Sequence, residues 1–303
     1  MPASPLSLAA ANRRRRGLAT APRRVRPLPA LLVFFLCRTA LPGAEPAISI
    51  PSYNQFSEQD ERKIGEALAA EFEGKYPVLD NSLLSSYLAN IAQRLAQHSR
   101  RPDLAYTCKV LNIISVNAFS LPGGHIYVTR GLLDFTQAEN ELAAVIAHEI
   151  GHIAGRHALN RFSLELRSKE MWGSVSRTLP NLAGPKLEQA FQAMGMPLID
   201  MLALRYDQAN ESEADLLAFY DLIRSGWNPA GQIRYLERIR PSGGEPDPFA
   251  DWRLAHPDAG ERSRLVSAEL KETALSPSLD DNSIAFRTMK LGLDLLPKPS
   301  NVK

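Results

Sequence analysis

The sequence predicts a mainly helical α+β domain, and three observations lead to this prediction. Amphipathic helical runs lie on both sides of a short β-rich stretch at residues 104–133, and an otherwise apolar helical stretch at 143–162 contains three histidines and a glutamate. No internal repeat with a period of about 20 to 50 residues is present, which argues against a solenoid. With 303 residues, 45% of them hydrophobic and 22% charged, the chain can build one large globular domain or two modest ones.

The first 44 residues have the composition of a targeting segment. They contain eight arginines and no acidic residue, so that the rest of the chain has a formal net charge of −6. The arginines precede the apolar run ALLVFFLC at residues 30–37 and the small-residue stretch that follows it. This order is typical of an export signal, with Ala44 as the best cleavage position. Basic charge confined to such a segment also argues against a nucleic-acid partner.

Two alternatives to an export signal stay open. The arginine-rich, acid-free stretch is compatible with an organellar transit peptide, and the true start of translation could lie downstream of residue 1. A membrane anchor is a weaker alternative, because Arg38 ends the apolar run well below the roughly 18 residues that a spanning helix needs. The sequence therefore predicts a periplasmic or otherwise exported protein, with an organellar or membrane-associated location as the alternative.

Two helices are predicted to open the domain. Ser57 can cap the run EQDERKIGEALAAEF, and the run NSLLSSYLANIAQRLAQHS repeats the same amphipathic pattern. Strands follow: LAYTCKVLNIISV reads as one strand, NAFSLPGG as a turn, and HIYVTRGLL as a second, neighbouring strand. The second strand could pair with an extended substrate as an added strand, and an ordinary buried strand is an equal alternative.

The rest of the chain is predicted to be helical with interruptions. One helix covers 138–160, residues 160–204 suggest broken helices or a mobile flap, and the methionine-rich part at 193–201 could serve as a lid. Strong helical patterns return in RYDQANESEADLLAFYDLIRSG and NPAGQIRYLERI, followed by a loop at 242–252 and two short helices. We divide the chain into a signal or targeting segment (1–44), a catalytic domain (45–275) and a C-terminal helical tail (276–303).

The histidines of the helix at 138–160 are spaced to bind a metal ion. His148 and His152 are four residues apart and share one helix face, and Glu149 lies on the flank of that face. In this H-E-x-x-H arrangement the histidines bind zinc and the glutamate acts as a general base. The alternative, in which both histidines are satisfied by backbone or helix neighbours, leaves Glu149 as an unexplained buried charge.

A catalytic zinc ion needs a third protein ligand, and the sequence offers two places for it. His157 follows His152 by five residues, which on a continuous helix turns its side chain largely away from the pair. The acidic run ESEAD is preferred: Glu211 is the third ligand, and Asp215 on the same face can hold a ligand histidine by hydrogen bonding. Glu213 is expected to point nearly opposite. The sequence predicts one Zn²⁺ per chain and no cysteine site, because only Cys37 and Cys108 are present.

Four motifs in this order resemble those of the CAAX prenyl-protease-like zinc metallopeptidases: NAFSLPGGHIYVTRGLL, HEIGHIAGRH, ESEAD and AHPDAGER. The resemblance covers roughly residues 55–270 and implies a gluzincin-type domain in which the H-E-x-x-H helix packs on a small β-sheet. It implies zinc ligands at His148, His152 and Glu211, a catalytic base at Glu149 and a paired acid at Asp215. His256 matches a histidine that in some relatives approaches and blocks the metal, and Arg262 matches a basic residue near the cleft.

The absence of long apolar runs after residue 44 makes the chain similar to the soluble, exported branch of that family. The resemblance implies a zinc metalloendopeptidase of envelope protein quality control that hydrolyses unfolded or misassembled exported proteins, with outer-membrane assembly machinery as a possible partner. No room is left before Lys303 for the helical repeats that many such proteases carry. The alternative function is a chaperone-like binding protein whose zinc site is silenced. His256 and Arg262 are candidate oxyanion donors or regulators.

Overall fold

The structure is a computed structural model that describes residues 51, 53–54, 56–168, 177, 189, 191–192, 206–240, 249, 253 and 256–299. In chain order, these residues form helices and strands at α1 (Glu58–Lys75), α2 (Ser82–Ala96), β1 (Thr107–Leu111), β2 (Ala118–Leu121), β3 (His125–Thr129), α3 (Arg130–Phe135), α4 (Glu139–Ala154), α5 (His157–Ser168), α6 (Gln208–Arg224), α7 (Ala230–Arg238), α8 (Ala259–Glu272) and α9 (Ile284–Leu293). The predicted mainly helical α+β fold is confirmed.

Helices α1 and α2 begin at the predicted caps. The Ser57 hydroxyl accepts a hydrogen bond from the Asp60 backbone N–H at 3.1 Å, and the Asp60 carboxylate accepts one from the Ser57 N–H at 2.9 Å. This reciprocal capping box satisfies two N–H groups that the helix itself leaves unpaired. The Asn81 side chain caps α2 in the same way by accepting from Leu84 N–H. The apolar stripes of both helices are buried.

The small sheet has the strand order β1-β3-β2, in which β1 is parallel and β2 antiparallel to β3. The predicted neighbouring strands are therefore β1 and β3. The turn predicted at NAFSLPGG is wrong, because its first half forms β2 and only Pro122–Gly124 forms a one-turn 3-10 helix. The strand predicted through HIYVTRGLL ends at Thr129, whose hydroxyl accepts from Leu132 N–H and caps α3. Since β3 is central, it is an ordinary buried strand with no edge left for a peptide.

The single helix predicted at 138–160 is wrong, because it is divided into α4 and α5. Helix α4 ends at Ala154, and Arg156 adopts a left-handed backbone conformation (φ 53°) before α5 begins at His157. The turn is held by buried Glu61: its Oε2 lies 3.0 Å from Arg156 Nε, and Arg156 also donates to the Phe56 carbonyl at 2.7 Å. The ion pair between Glu61 of α1 and Arg156 thus stabilises the turn between α4 and α5.

Helix α4 is buried along its whole length by the elements around it. It packs against the sheet through β2, against α2 and α7, and most extensively against α6. The predicted helices at RYDQANESEADLLAFYDLIRSG and NPAGQIRYLERI are confirmed as α6 and α7, and the two short helices after them as α8 and α9. Phe286 and Leu293 of α9 are buried in the main hydrophobic cluster. The domain boundaries at residues 44 and 275 stay predictions.

Several sequence predictions lie outside the described residues. They include the targeting segment, almost all of the loop at 242–252, most of the stretch at 160–204 and its methionine-rich part. Among the helices of the described part, none combines the length and the apolar character that crossing a membrane requires.

Candidate metal centre

Four buried side chains from three parts of the chain converge on one point. Helix α4 supplies His148 and His152, α6 supplies Glu211, and the segment before α8 supplies His256. One nitrogen or oxygen atom of each lies within 4.8 Å of the corresponding atoms of the other three. His148 Nε2 and His152 Nε2 are 2.9 Å apart, and His256 Nδ1 is 3.1 Å from a Glu211 carboxylate oxygen.

A glycine between the two histidines allows α4 and α6 to meet. A Cβ atom at Gly151 would lie 2.9 Å from the Ala214 carbonyl oxygen and 3.0 Å from the Ala214 Cα, closer than side-chain atoms approach backbone. The absence of a side chain therefore lets the two helix backbones touch between His148 and His152, directly before His152. This close approach places Glu211 Oε1 3.4 Å from His152 Nε2 and Glu211 Oε2 3.4 Å from His148 Nε2.

His148 is oriented by a carboxylate on α6. Its Nδ1 lies 3.0 Å from Asp215 Oδ1, and Asp215 also accepts hydrogen bonds from Arg262 Nε at 2.7 Å and from an Arg262 terminal nitrogen at 2.8 Å. The other terminal nitrogen of Arg262 forms a 2.7 Å ion pair with Glu211. A neutral histidine that donates through Nδ1 keeps the Nε2 lone pair for a metal ion, and such an orienting carboxylate is typical of metal-binding histidines.

The electrostatics of the site follow from burial and from these ion pairs. Burial alone raises the pKa of Asp215, but the Arg262 guanidinium beside it outweighs burial and holds that pKa well below its usual range. Burial also opposes ionisation of Glu211, and Arg262 and His256 together reverse the effect and lower its pKa. Burial and Arg262 lower the pKa of His148, whereas Asp215 and Glu211 outweigh both and raise it to about 9. Both carboxylates are therefore ionised.

The residues fit a divalent cation. Apart from its histidines, the buried ionisable groups of the site are the carboxylates of Glu149, Glu211 and Asp215 and the guanidinium of Arg262. A proton on His148, whose pKa is raised, offsets part of this negative charge in the metal-free site. When the imidazoles are neutral, as metal binding requires, two negative charges are left uncompensated, and buried charge is costly unless it is paired or coordinates a metal. Glu149 Oε1 is buried and has no hydrogen-bond partner among the described residues. Imidazole nitrogens with a carboxylate oxygen are the donor set that zinc accepts in catalytic sites.

Glu149 lies beside the four-residue cluster, between α4 and the sheet. Ser120 of β2 donates a hydrogen bond from its hydroxyl to Glu149 Oε2 at 2.8 Å, which fixes that carboxylate oxygen. The other oxygen, Oε1, is 3.7 Å from His256 Nε2. Sequence reasoning missed Ser120 because it placed this residue in a turn. Three of the four residues of β2 are buried, so the strand lacks the alternating pattern that would mark it in the sequence.

His157 contacts the site, contrary to the expectation that it faces away. His157 Nδ1 is 2.8 Å from His152 Nδ1, and His157 Nε2 is 3.3 Å from a Glu213 carboxylate oxygen. The expectation assumed a continuous helix, whereas α4 ends at Ala154 and the chain turns back toward α6. Glu213 does not join the four-residue cluster, and its carboxylate contacts His157 at the first residue of α5. The glycine at 155, a common helix-ending residue, is the signal that could have corrected the expectation for His157.

The structure brings all seven predicted site residues together, each at most 4% exposed: His148, Glu149, His152, Glu211, Asp215, His256 and Arg262. Sequence reasoning did not single out Tyr206, whose ring stacks on His152 with the centroids 4.0 Å apart and the planes 16° from parallel. No periodicity or motif marks Tyr206 in advance. Cys108 is buried and its thiol pKa is raised to about 12, mainly by burial, so it stays protonated at neutral pH.

Comparisons with known proteins agree with the geometry. The sequence profile of peptidase family M48 matches residues 82–270. The beta-barrel assembly-enhancing protease of Escherichia coli (strain K12) is 26% identical over 232 residues, which are 76% of this chain and 47% of that protein. The mitochondrial metalloendopeptidase OMA1 of Arabidopsis thaliana is 29% identical over 200 residues, 65% of this chain and 39% of that protein. The metalloprotease LoiP of Escherichia coli (strain K12) is 29% identical over 189 residues, 61% of this chain and 70% of that protein. The chain spans about half the length of the first of these relatives.

Proposed function

The chain belongs to peptidase family M48, and from this premise we propose that it is a zinc-dependent metalloendopeptidase. The observation that carries the proposal is the buried convergence of His148, His152 and Glu211 beside Glu149. One zinc ion per chain is held by the two histidines of α4 and the glutamate of α6. His256 is the fourth group of the cluster and lies beside these three ligands.

The ion and the protein contribute differently to hydrolysis. A bound zinc ion supplies Lewis-acid polarisation of the scissile carbonyl and lowers the pKa of an attacking water to about 7. Glu149 acts as the general base that takes the proton of this water and then delivers it to the leaving amine. Ser120 holds Glu149 Oε2 by a hydrogen bond, which leaves Oε1 as the oxygen that exchanges the proton.

Arg262 and His256 have different roles in the proposed site. Arg262 directs three nitrogens at the carboxylates of Asp215 and Glu211, an arrangement that supports a role in holding these two acids in place. His256 Nε2 faces Glu149 Oε1, so His256 is the better placed of the two to donate to a developing oxyanion. The proposal therefore assigns transition-state contact to His256 and orientation to Arg262.

The substrate we propose is an unfolded or misassembled protein of an exported or organellar compartment. The names of two relatives, a beta-barrel assembly-enhancing protease and a mitochondrial metalloendopeptidase, support proteolysis in such compartments. Strand β2 pairs with β3 along one side and supplies Ser120 to the site, so an extended peptide added along β2 would pass Glu149. Main-chain pairing of this kind suits substrates that share no fixed sequence.

The test is cleavage of unfolded casein by the purified, zinc-loaded chain and by Glu149→Gln. We expect the wild type to cleave casein and Glu149→Gln to lose about 10²- to 10⁴-fold in rate, the usual contribution of a general base. Zinc content, measured in the same samples, should be equal because Glu149 is not a ligand. Equal cleavage by the two proteins would contradict the assignment of the base.

A second function, a chaperone-like binding protein with a silenced site, is favoured by one observation: His256 already contacts Glu211 and lies 3.3 Å from His148. His256→Ala separates the two functions. Cleavage that appears or increases in this variant indicates a protease held closed by His256. A zinc-loaded wild type and a zinc-loaded His256→Ala that both bind unfolded casein without cutting it would support the binding function.

A further inference from the structure

We propose that Glu213 and His157 form a hydrogen-bond relay that fixes the orientation and the tautomer of His152, so that its Nε2 atom faces the metal position. His157 and Glu213 are positioning residues in this proposal and do not touch substrate or metal. The inference rests on the proposed function in one respect only, since it takes His152 to be a metal ligand.

Two consecutive contacts on the side of His152 away from the cluster make up the relay. His152 Nδ1 lies 2.8 Å from His157 Nδ1, and His157 Nε2 lies 3.3 Å from Glu213 Oε2. His157 is 1% exposed and Glu213 is about one-quarter exposed, so the relay leads from the buried cluster toward the surface of α6. On its other side, His152 Nε2 is 2.9 Å from His148 Nε2 and 3.4 Å from Glu211 Oε1.

The donors and acceptors of neutral imidazoles determine the direction of the relay. A carboxylate only accepts, so His157 must donate its proton from Nε2 to Glu213. His157 Nδ1 is then a lone-pair acceptor, and His152 must donate to it from Nδ1. His152 Nε2 is therefore left without a proton, which is the form in which a histidine binds a metal ion. Glu213 thus selects the metal-binding tautomer of a residue that it does not contact.

The backbone after α4 is built to hold His157 in this place. A Cβ atom at Gly155 would lie 2.2 Å from His157 Nε2 and 2.7 Å from its Cδ2, so only glycine leaves room for the ring. Arg156 supplies the left-handed turn, which costs a non-glycine residue energy and is secured here by the ion pair with Glu61. Gly155 and the turn at Arg156 together fix the position of the His157 ring.

The relay also explains why α6 carries three acidic residues at alternate positions. Glu211 faces the cluster, Asp215 orients His148 directly, and Glu213 lies between them in sequence and faces α5 instead. Because Glu213 cannot reach His152 itself, the ring of His157 spans the gap. Each of the two histidines on α4 is therefore oriented by its own carboxylate on α6, one directly and one through a second histidine.

The competing account is that His157 and Glu213 only support the fold, as buried histidines with a satisfied nitrogen often do. The two accounts differ in what a substitution changes. A structural pair contributes to the stability of the metal-free protein and leaves the zinc affinity of the folded molecules unchanged. An orienting relay contributes to zinc affinity even where folding is intact, typically by about 10- to 100-fold for such partners of metal ligands.

The experiment measures the zinc dissociation constant of the full chain by competition with a chromophoric chelator. The variants are Glu213→Gln, which removes the charge at a partly exposed position, and His157→Phe, which keeps a ring without nitrogens. The matched controls are Glu237→Gln on α7 and His98→Phe, both at exposed positions away from the relay. Circular dichroism and thermal unfolding of the metal-free proteins report folding, and the visible spectrum of the Co²⁺-loaded proteins reports ligand geometry.

We expect zinc affinity about 10-fold weaker in Glu213→Gln and up to about 100-fold weaker in His157→Phe, with an altered Co²⁺ spectrum and unchanged controls. Gly155→Ala, which keeps both imidazoles but displaces the His157 ring, should weaken zinc binding in the same direction. Wild-type zinc affinity and spectrum in folded Glu213→Gln would overturn the relay while leaving the zinc site intact. A wild type that binds no zinc would instead contradict the proposed function, so the two failures are distinguishable.

Discussion

At the scale of single residues, Arg262 is the cation that makes the acidic side of the site compatible with burial. It is 1% exposed, and its guanidinium reaches both oxygens of Asp215 and one oxygen of Glu211. Two carboxylates so deeply buried would otherwise be costly, and the lowered pKa of Asp215 beside Arg262 reflects this compensation. Arg262 therefore stabilises the arrangement on which the orientation of His148 depends.

Arg262→Met tests this role. Removal of one partner of a buried ion pair leaves uncompensated charge, so we expect the metal-free protein to lose about 3–5 kcal/mol in its free energy of unfolding. Arg264→Met is the matched control, because Arg264 lies two residues along the same helix and its side chain is 74% exposed. Urea denaturation measures both variants. Equal losses in Arg262→Met and Arg264→Met would contradict the account of Arg262.

The sequence predicts site residues correctly where their spacing along one helix determines which face they share. A separation of four residues places His148 with His152, and Glu211 with Asp215, whatever the rest of the fold does. His157 was misjudged because the same helical arithmetic was applied across Gly155 and Arg156, where the helix ends. Tyr206 could not be predicted at all, since its stacking on His152 depends on a chain path that no local pattern encodes.

At the scale of secondary-structure elements, the contact between α4 and α6 assembles the site. Gly151 lies so close to the Ala214 backbone that a Cβ atom on residue 151 would clash with it. This contact lies between His148 and His152 along α4. The separation of the two helices thus sets how close Glu211 comes to the histidines. Small changes at this contact should be felt in metal binding as well as in stability.

Gly151→Ala should force the two helices apart. We expect the free energy of unfolding to fall by about 1–3 kcal/mol, as for overpacking in a dense core, and zinc affinity to weaken. Gly74→Ala is the control. Gly74 is an exposed helical glycine of α1 with open space around it, so this substitution should raise the free energy of unfolding by up to about 1 kcal/mol. Unfolding in urea and zinc titration report the two effects, and unchanged zinc affinity in folded Gly151→Ala would contradict the link between helix contact and metal site.

Helices were predicted better than strands because their signals are local. The caps at Ser57 and Asn81 and the apolar stripes behind them mark α1 and α2 without reference to any other part of the chain. Strand β2 was taken for a turn because Pro122 and the two glycines after it dominate the local composition. What makes its residues a strand is pairing with β3, which lies beyond that turn.

At the scale of the whole molecule, the site is an assembly of distant segments around one buried helix. The α+β class could be predicted from the succession of helical and β-rich runs, whereas the strand order β1-β3-β2 and the pairing of α4 with α6 could not. Both depend on contacts between residues far apart in sequence. Glu211 was nevertheless predicted as a partner of His148 and His152 some sixty residues away, because a zinc site needs a third ligand, and the family resemblance implied the same residue.

The central claim is that α4 and α6 together hold one zinc ion, and the most direct measurement is anomalous diffraction at the zinc absorption edge from crystals of the zinc-loaded chain. The account predicts a single strong peak between the side chains of His148, His152 and Glu211, with Glu149 beside it and not bound to it. A zinc-loaded protein whose anomalous peak lies elsewhere, or crystals with no peak among these three side chains, would contradict the claim.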